Sequence, residues 1–582
     1  MTGDSAEQPI RFEPEEPCPP PIALLVGFQG AALVLAPTVL NVAIAVRSSG
    51  LDDSYLTWSV FSAMVICGVI TALQASHLRR FGAGHVVLAW PAAMFIAIMV
   101  ATVPAAGLAT FASLMIVCSL MQVALAWWLP ALRRIVTPTV SGTVTMLIAV
   151  SVLPIAFDAV DDLPSDAPTS AGPVIAGATL LASVIVALKA SGRWRLVAPF
   201  SSILVGCAVA AAFGVLDGDR IADAGWFGIP DVPSLSVDLT PSREFWVLLP
   251  SFAVLTLVLG LKTISDGVVI QQGSRRRPRA IEFRQIQGMV SVNGVGMLLA
   301  GFTGTLPTMA NSSYSLSLIN LTGVAARRVG VGVAIVSVFL ALFTKFTAVL
   351  LTIPVPVLGA YLMLAMGMLF VSGCQTVLRD GLDSRRMLVV ALASALGLGL
   401  HGHPLLRDLF GDDYGELLGS GVTIGAIAAI AMTLLVEAMS TRRSRLEVTL
   451  DPASIPVIDE FLAQLASRLR WNEVSTLRLR SAGEETLASL LAQEDDADES
   501  VSPRLNITAR PQGAMVELEF VATTRQENIE DQLAFLAEEV AVPSVDDLSL
   551  RLLRFHASAV RHQKYHGVDI VTVQVEGSGS AS

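Results

Sequence analysis

Apolar stretches of about twenty residues recur from residue 21 to residue 440. They are long enough to cross a hydrocarbon layer of ~30 Å, which the core helices of a soluble domain need not be. In lipid every backbone polar group must be satisfied within the chain, so the architecture is either a helix bundle or a closed barrel. The short alternating segments of a barrel are absent. A content of 53% hydrophobic against 15% charged residues, with mean hydropathy +0.65, fits a polytopic all-α membrane protein. Its apolar residues are few in aromatics and rich in Ala, Gly and Val, the composition of helices that pack closely in a bilayer.

A window of roughly 19 residues, broken at charges and Pro/Gly clusters, gives about fourteen spans. They lie near 21–46, 55–76, 83–103, 106–130, 135–157, 171–190, 196–216, 244–270, 285–303, 306–322, 329–353, 355–378, 386–402 and 416–440. The third and tenth are the least helix-like. With a cytosolic N-terminus, twenty Lys or Arg fall on the inner side, including Arg79, Arg80, Arg133, Arg134, five Arg between 275 and 284, and Arg327 with Arg328. The outer side keeps Arg47, Arg220, Arg243 and Arg407. That asymmetry predicts an even number of spans and two cytosolic termini in the cell membrane, a parity that survives a miscount by one compensating pair.

The net charge of −11 is concentrated at the ends. Residues 1–20 carry five acids and one base, and 441–582 carry 23 acids and 14 bases, whereas 21–440 is nearly balanced with 23 bases and 21 acids. Nothing in this distribution suits a nucleic acid. The first twenty residues are acidic and Pro-rich without a basic n-region, which predicts a disordered cytosolic tail rather than a signal peptide. Cys18, Cys67, Cys118, Cys207 and Cys374 lack metal or disulfide spacing, and no cofactor or metal is expected.

One stretch breaks the apolar pattern: "GTLPTMANSSYSLSLINLTGVAARR", residues 304–328. Polar or irregular backbone at membrane depth is tolerated only where protein buries it or where it lines a watery cavity. Transporters build substrate sites from such broken helices. Thr308, Asn311, Ser312, Ser313, Tyr314, Ser315 and Ser317 therefore read as a substrate-lining run that Pro307 opens. The bland alternative is small polar residues gluing helices together.

This stretch, with the preceding "GFT" and with "KFTAVLLTIPVPVLGAYLMLAMGMLFVSG" at 345–373, resembles the nucleobase-cation symporter-2 family, the uracil, xanthine and ascorbate permeases. Weaker similarity lies in "GFQGAALVLAPTVL" (27–40) and "RFGAGHVVLAWPAAMFIAIM" (80–99). The resemblance covers about residues 20–440. It implies fourteen spans in two inverted seven-span repeats, with spans 1–4 and 8–11 as a core and 5–7 and 12–14 as a gate. Spans 3 and 10 would each supply a short strand and a half-helix. Movement of the core would give alternating access, and a homodimer is expected.

The resemblance also locates departures. The family's buried Glu of span 8 falls on Lys262, the second acid of span 10 falls on Ser313 or Tyr314, and the Gln-His pair of span 1 is Gln29 and Gly30. Gln29, Pro37, Trp90 and Phe95 carry over as lining residues, beside Asn311 and Ser312 of the polar run. A carboxylate accepts nucleobase N–H groups, whereas Lys only donates. Asp266 lies one helical turn beyond Lys262 and is its natural partner. In one reading Lys262 attracts an anionic or carbonyl-rich solute while Asp266 serves coupling to protons or sodium; in the other the two form a self-neutralising structural pair. Lys345 reads as a local pair or a snorkelling side chain.

After Arg445 the pattern becomes that of a soluble α/β sandwich. Strands are expected at "RLEVTL", "RLNITAR", "AMVELEFVA" and "VDIVTVQV", and helices at "SIPVIDEFLAQLASRLR", "VSTLRLRSAGEETLASLLAQ", 526–540 and 546–563. The order resembles the histidine-kinase-like ATPase fold of anti-sigma-factor kinases. The expected magnesium-holding Asn after Glu485 is Ser489, and both glycine-rich boxes are missing, so a regulatory or dimerisation module that binds a cytosolic partner is expected in place of ATP turnover. The whole chain thus reads as a secondary active transporter of a small planar solute, not an enzyme. The alternatives are a transporter-derived receptor signalling through its tail and an anion transporter of the same broad fold.

Overall fold

A computed structural model describes residues 10–78, 81–127, 137–164, 167–189, 198–216, 221, 225–233, 242–276, 281–378, 384–400, 421–438, 444–491, 504–512, 515–522, 552–553, 555–565 and 568–577. It resolves two compact units: Met1–Ser274 with Gln285–Leu435, and Arg275–Arg284 with Val436–Ser582.

The first unit is mostly helical. Its helices are α1 (Pro20–Ser48), α2 (Asp53–Ala75), α3 (Ile96–Trp127), α4 (Pro138–Asp161), α5 (Ala171–Lys189), α6 (Ala198–Ala212), α7 (Arg243–Gly273), α8 (Phe283–Thr303), α9 (Ser312–Thr322), α10 (Arg328–Leu342), α11 (Thr344–Leu351), α12 (Val355–Leu378), α13 (Ser384–Gly399) and α14 (Gly421–Ala438). Two short strands interrupt the series, β1 (Leu88–Pro91) and β3 (Thr308–Asn311). Asp52 caps α2 by accepting from the Tyr55 amide, and Ser242 and Thr137 cap α7 and α4 in the same way. By length and hydropathy seven helices among the described residues can cross a membrane, or eight if α10 and α11, bent by 78°, count as one. The chain is a multi-pass membrane protein.

That number is smaller than the fourteen expected from the sequence. The helical run of α3 is broken at Gly107, whose φ of 81° and ψ of 166° leave the helical region. The expected single span over 329–353 bends at Phe343 instead. Ala171–Val186, Ser201–Ala212 and Gly421–Val436 are apolar but short. Small residues set the helix crossings: a Cβ on Gly27 of α1 would stand 2.5 Å from the Gly332 carbonyl carbon of α10, and one on Gly142 of α4 would stand 2.6 Å from the Gly373 oxygen of α12.

The disorder expected of residues 1–20 does not extend to 10–19; residues 1–9 lie outside the described residues. Phe12 forms a parallel bridge with Val324, and the Ala325 amide donates to the Phe12 carbonyl at 2.8 Å. Arg328 donates to the Cys18 carbonyl at 3.0 Å, and Arg327 reaches Glu15 at 3.6 Å and the Gly84 carbonyl at 2.8 Å. Backbone pairing and two arginines hold this segment where composition alone predicts a free tail.

The second unit is a six-stranded sheet in the order β2-β7-β8-β6-β5-β4, with α15 (Ile455–Arg468) and α16 (Glu473–Leu491). Its strands are β2 (Ile281–Glu282), β4 (Ser444–Thr449), β5 (Arg504–Gln512), β6 (Met515–Ala522), β7 (Ala559–Tyr565) and β8 (Val568–Glu576). Leu505, Ile507, Val516, Leu518, Phe520, Val571, Val573 and Val575 form the buried face with Leu462, Leu465 and Leu479 from the helices. Arg480 of α16 grips Asp459 of α15, which holds that carboxyl below its ordinary range.

Two features differ from expectation. Residues 559–563, expected at the end of a helix, belong to β7, antiparallel to β8; the alternating apolar face of β8 draws that segment in as a partner. The edge strand β2 comes from the Arg-rich segment between α7 and α8, so the second unit is discontinuous in sequence. The expected helix at 526–540 lies outside the described residues.

Candidate substrate site where two short strands cross

Inside the first unit β1 and β3 run antiparallel, with Leu88 opposite Asn311 and Pro91 opposite Thr308. Strand backbone away from water needs partners on both edges, and neighbouring helices supply them. The Leu88 amide donates to Ser315 Oγ at 3.0 Å and the Ala89 amide to Thr71 Oγ1 at 3.1 Å. Asn41 Nδ2 of α1 donates to the Pro91 carbonyl at 3.1 Å, and the Ala92 amide donates to the Pro307 carbonyl at 2.7 Å. From α2, Trp58 Nε1 donates to the Thr303 carbonyl at 2.9 Å and Ser59 Oγ to Thr305 Oγ1 at the same distance, which fixes the turn that leads into β3.

The chain then turns sharply into α9. Asn311 Oδ1 accepts from the Tyr314 amide at 3.0 Å, a side-chain N-cap, and Ser315 Oγ donates back to the Asn311 carbonyl at 2.6 Å. Gly323, at φ 69°, ends the helix in the left-handed region. The first residue of α9 is thereby presented to α7. Ser312 Oγ donates to Asp266 Oδ1 at 2.7 Å, and Lys262 Nζ lies 3.1 Å from Asp266 Oδ2.

The Lys262 and Asp266 side chains are only 18% and 9% exposed. Either charge alone would be costly at this depth, and together they are neutral as a unit. Trp90 of β1 meets Tyr314 of α9 edge to face, centroids 5.0 Å apart at 68°, and Tyr314 shares a side-chain hydrogen bond with Tyr361 of α12. The crossing therefore sets an edge-to-face aromatic pair on the same elements as a small set of polar groups, the composition of a small-molecule site.

Of the residues selected from sequence, Lys262, Asp266, Asn311, Ser312, Tyr314 and Trp90 come together here. Phe95 is fully buried in the short 3-10 turn Ala93–Phe95 after β1, and Pro37 is buried within α1. Ser313 is exposed. Gln29 is exposed on α1, with no recorded contact to this group among the described residues, while neighbouring Gly30 faces Leu88 and Leu318. Lys345 lies away from the crossing, over the Trp226 ring at 5.0 Å.

Sequence reading missed a buried amide path behind the pair. Asn293 Nδ2 of α8 donates to Thr263 Oγ1 at 2.8 Å, and Gln74 Nε2 of α2 donates to Asn293 Oδ1 at 3.1 Å and to the Met289 carbonyl at 3.0 Å. It fixes α7 one residue from Lys262. The available signal was an amide inside an apolar window, which Asn41, Gln74 and Asn293 share.

Comparison with known proteins follows the same segment of chain. The Permease family model for xanthine/uracil permeases matches residues 21–406. The xanthine permease XanP of Escherichia coli is 26% identical over 446 residues, covering 72% of this chain and 93% of that protein. The uric acid permease PucK of Bacillus subtilis is 26% identical over 413 residues, covering 70% and 94%. Among solved structures, the murine Slc26a9 anion transporter in its inward-facing state aligns with a TM-score of 0.51 at 12% identity, over 73% of this chain and 70% of that one. That likeness concerns the fold.

Proposed function

Because the chain belongs to the Permease family of xanthine/uracil type, a family of transporters and not of enzymes, we propose that it moves a small planar nucleobase across the membrane through the β1–β3 crossing. The observation that carries this reading is the meeting of Ser312 with the Lys262–Asp266 pair at the start of a broken span whose Tyr314 packs on Trp90. Half-helices that begin beside paired strands can hold a solute without unpaired backbone.

In this reading fourteen spans form two inverted repeats. The core comprises α1, α2, β1 with α3, α7, α8, β3 with α9, and the bent pair α10–α11; the gate comprises α4–α6 and α12–α14. Movement of the core against the gate exposes the crossing to either side in turn, and the Tyr314–Tyr361 bond is one contact that such movement breaks and remakes. Uptake is coupled to protons or sodium at Asp266. Both termini are cytosolic, the protein resides in the cell membrane as a homodimer, and the second unit regulates transport or dimerisation through a cytosolic partner.

The test is uptake of labelled xanthine, urate and uracil by proteoliposomes. Accumulation of one of them supports the transporter reading. Tight binding without flux contradicts it in favour of a receptor, and no binding of any base removes the nucleobase assignment.

A further inference from the structure

Resting on that nucleobase reading, we infer that the crossing selects a planar monoanion, an oxopurine or oxopyrimidine presenting acceptors along one edge, and binds it by partner exchange on Lys262. The argument is a count of donors and acceptors. Asp266 Oδ1 accepts from Ser312 and, at 3.5 Å, from Lys262, Oδ2 accepts from Lys262 at 3.1 Å, and the carboxylate is almost fully enclosed. Three of its roughly four acceptor positions are thus filled, which leaves little capacity for a solute. Lys262 carries three N–H donors, and among the described residues its bonds go to Asp266. Trp90 Nε1 is a second donor, buried and without a hydrogen-bond partner among the described residues.

A site with donors to spare disfavours a neutral nucleobase, whose edge alternates C=O with N–H and would set donor against donor. An anion whose edge is all acceptors matches it, and its ring lies against Trp90 and Tyr314. Asp266 is then an internal competitor, the anion already seated on Lys262. When the solute takes Lys262, Asp266 keeps Ser312 and the coupling cation replaces the ammonium beside it. The pair opens and both halves stay neutralised.

No other charge at the crossing competes for these roles among the described residues. On the elements packed against α7, the titratable groups are Cys118 on α3, Tyr314 on α9, the exposed Arg284 at the start of α8 and the exposed Asp158 and Asp161 in the last turn of α4. His85 lies beside Gly267 and Ile270, and Arg243 and Glu244 begin α7 several turns away.

The test is binding to the purified full-length protein in nanodiscs, by thermal shift and equilibrium titration at neutral pH. The probes are urate and orotate, both monoanions, against hypoxanthine and uracil, both neutral. The expected result is tighter binding of the anions by about ten-fold or more. Lys262→Gln should erase that preference. Asp266→Asn, which removes the competing carboxylate but keeps an acceptor for Ser312, should bind urate more tightly than the wild type and recover lost thermal stability when urate is added. Equal or stronger binding of the neutral bases by the wild type overturns the inference while leaving the nucleobase reading intact, and so does weaker urate binding by Asp266→Asn. Failure of all four probes to bind overturns both. If neither variant folds, the wild-type preference alone decides.

Discussion

The two strands that cross in the membrane unit are equal in length and paired to each other, yet the residues that follow them differ in kind. After β1 the chain enters a short turn at Ala92, which makes no side-chain cap, and continues through Ala93, Met94 and Phe95, all buried and apolar. After β3 it enters α9 through Asn311, which caps the helix, and Ser312, which bonds Asp266. The shared backbone break creates the place; the residues one or two positions later decide whether that arm is a wall or a polar cradle.

The comparison can be broken most severely from the polar side. Asp266→Ala strands the Lys262 ammonium, and losing one partner of a buried pair should cost about 3–5 kcal/mol, with loss of uptake; denaturation in nanodiscs measures the first and flux the second. Gly296→Ala comes next. Its Cβ would stand 2.1 Å from Thr308 Oγ1, so the β3 arm must shift, for about 1–3 kcal/mol. A transport rate unchanged from the wild type would show that the position of β3 is not critical.

Asn311→Ala removes the cap of one arm and should cost about 1 kcal/mol in melting experiments, whereas the turn at Ala92 on the other arm has no side-chain cap to lose. A change near zero in the variant would erase the asymmetry. A double-mutant cycle of Trp90 and Tyr314, the contact that joins the two arms, should give a coupling of about 0.5–1.5 kcal/mol. The smallest effect belongs to Glu15→Ala. Its contact with Arg327 is partly exposed, so stability should change by no more than about 1 kcal/mol and uptake should not change.

The polar run at 304–328 was legible because serine, threonine and asparagine stand out against hydrocarbon-compatible sequence, and the i, i+4 spacing tied Lys262 to Asp266 before any coordinates. Pairing was not legible. Nothing in "LAWP" says that it runs antiparallel to "TMAN" four residues for four, because strand register depends on partners more than two hundred residues away. The same limitation hid β2, a two-residue strand in an Arg-rich loop, and made β7 look helical. Gln29 was selected by its place in a motif alone, and the structure leaves it exposed on α1. The strap of residues 10–19 owes its order to amides and arginines on the far side of α9, which no local composition reveals.

The most direct test of the central claim is labelled xanthine and urate uptake by proteoliposomes containing equal amounts of folded wild-type protein or Lys262→Gln. The account predicts accumulation by the wild type and a loss of at least about ten-fold in the variant, since the substituted group both holds Asp266 and meets the solute. Binding and uptake unchanged in Lys262→Gln would contradict the assignment of the site to the β1–β3 crossing.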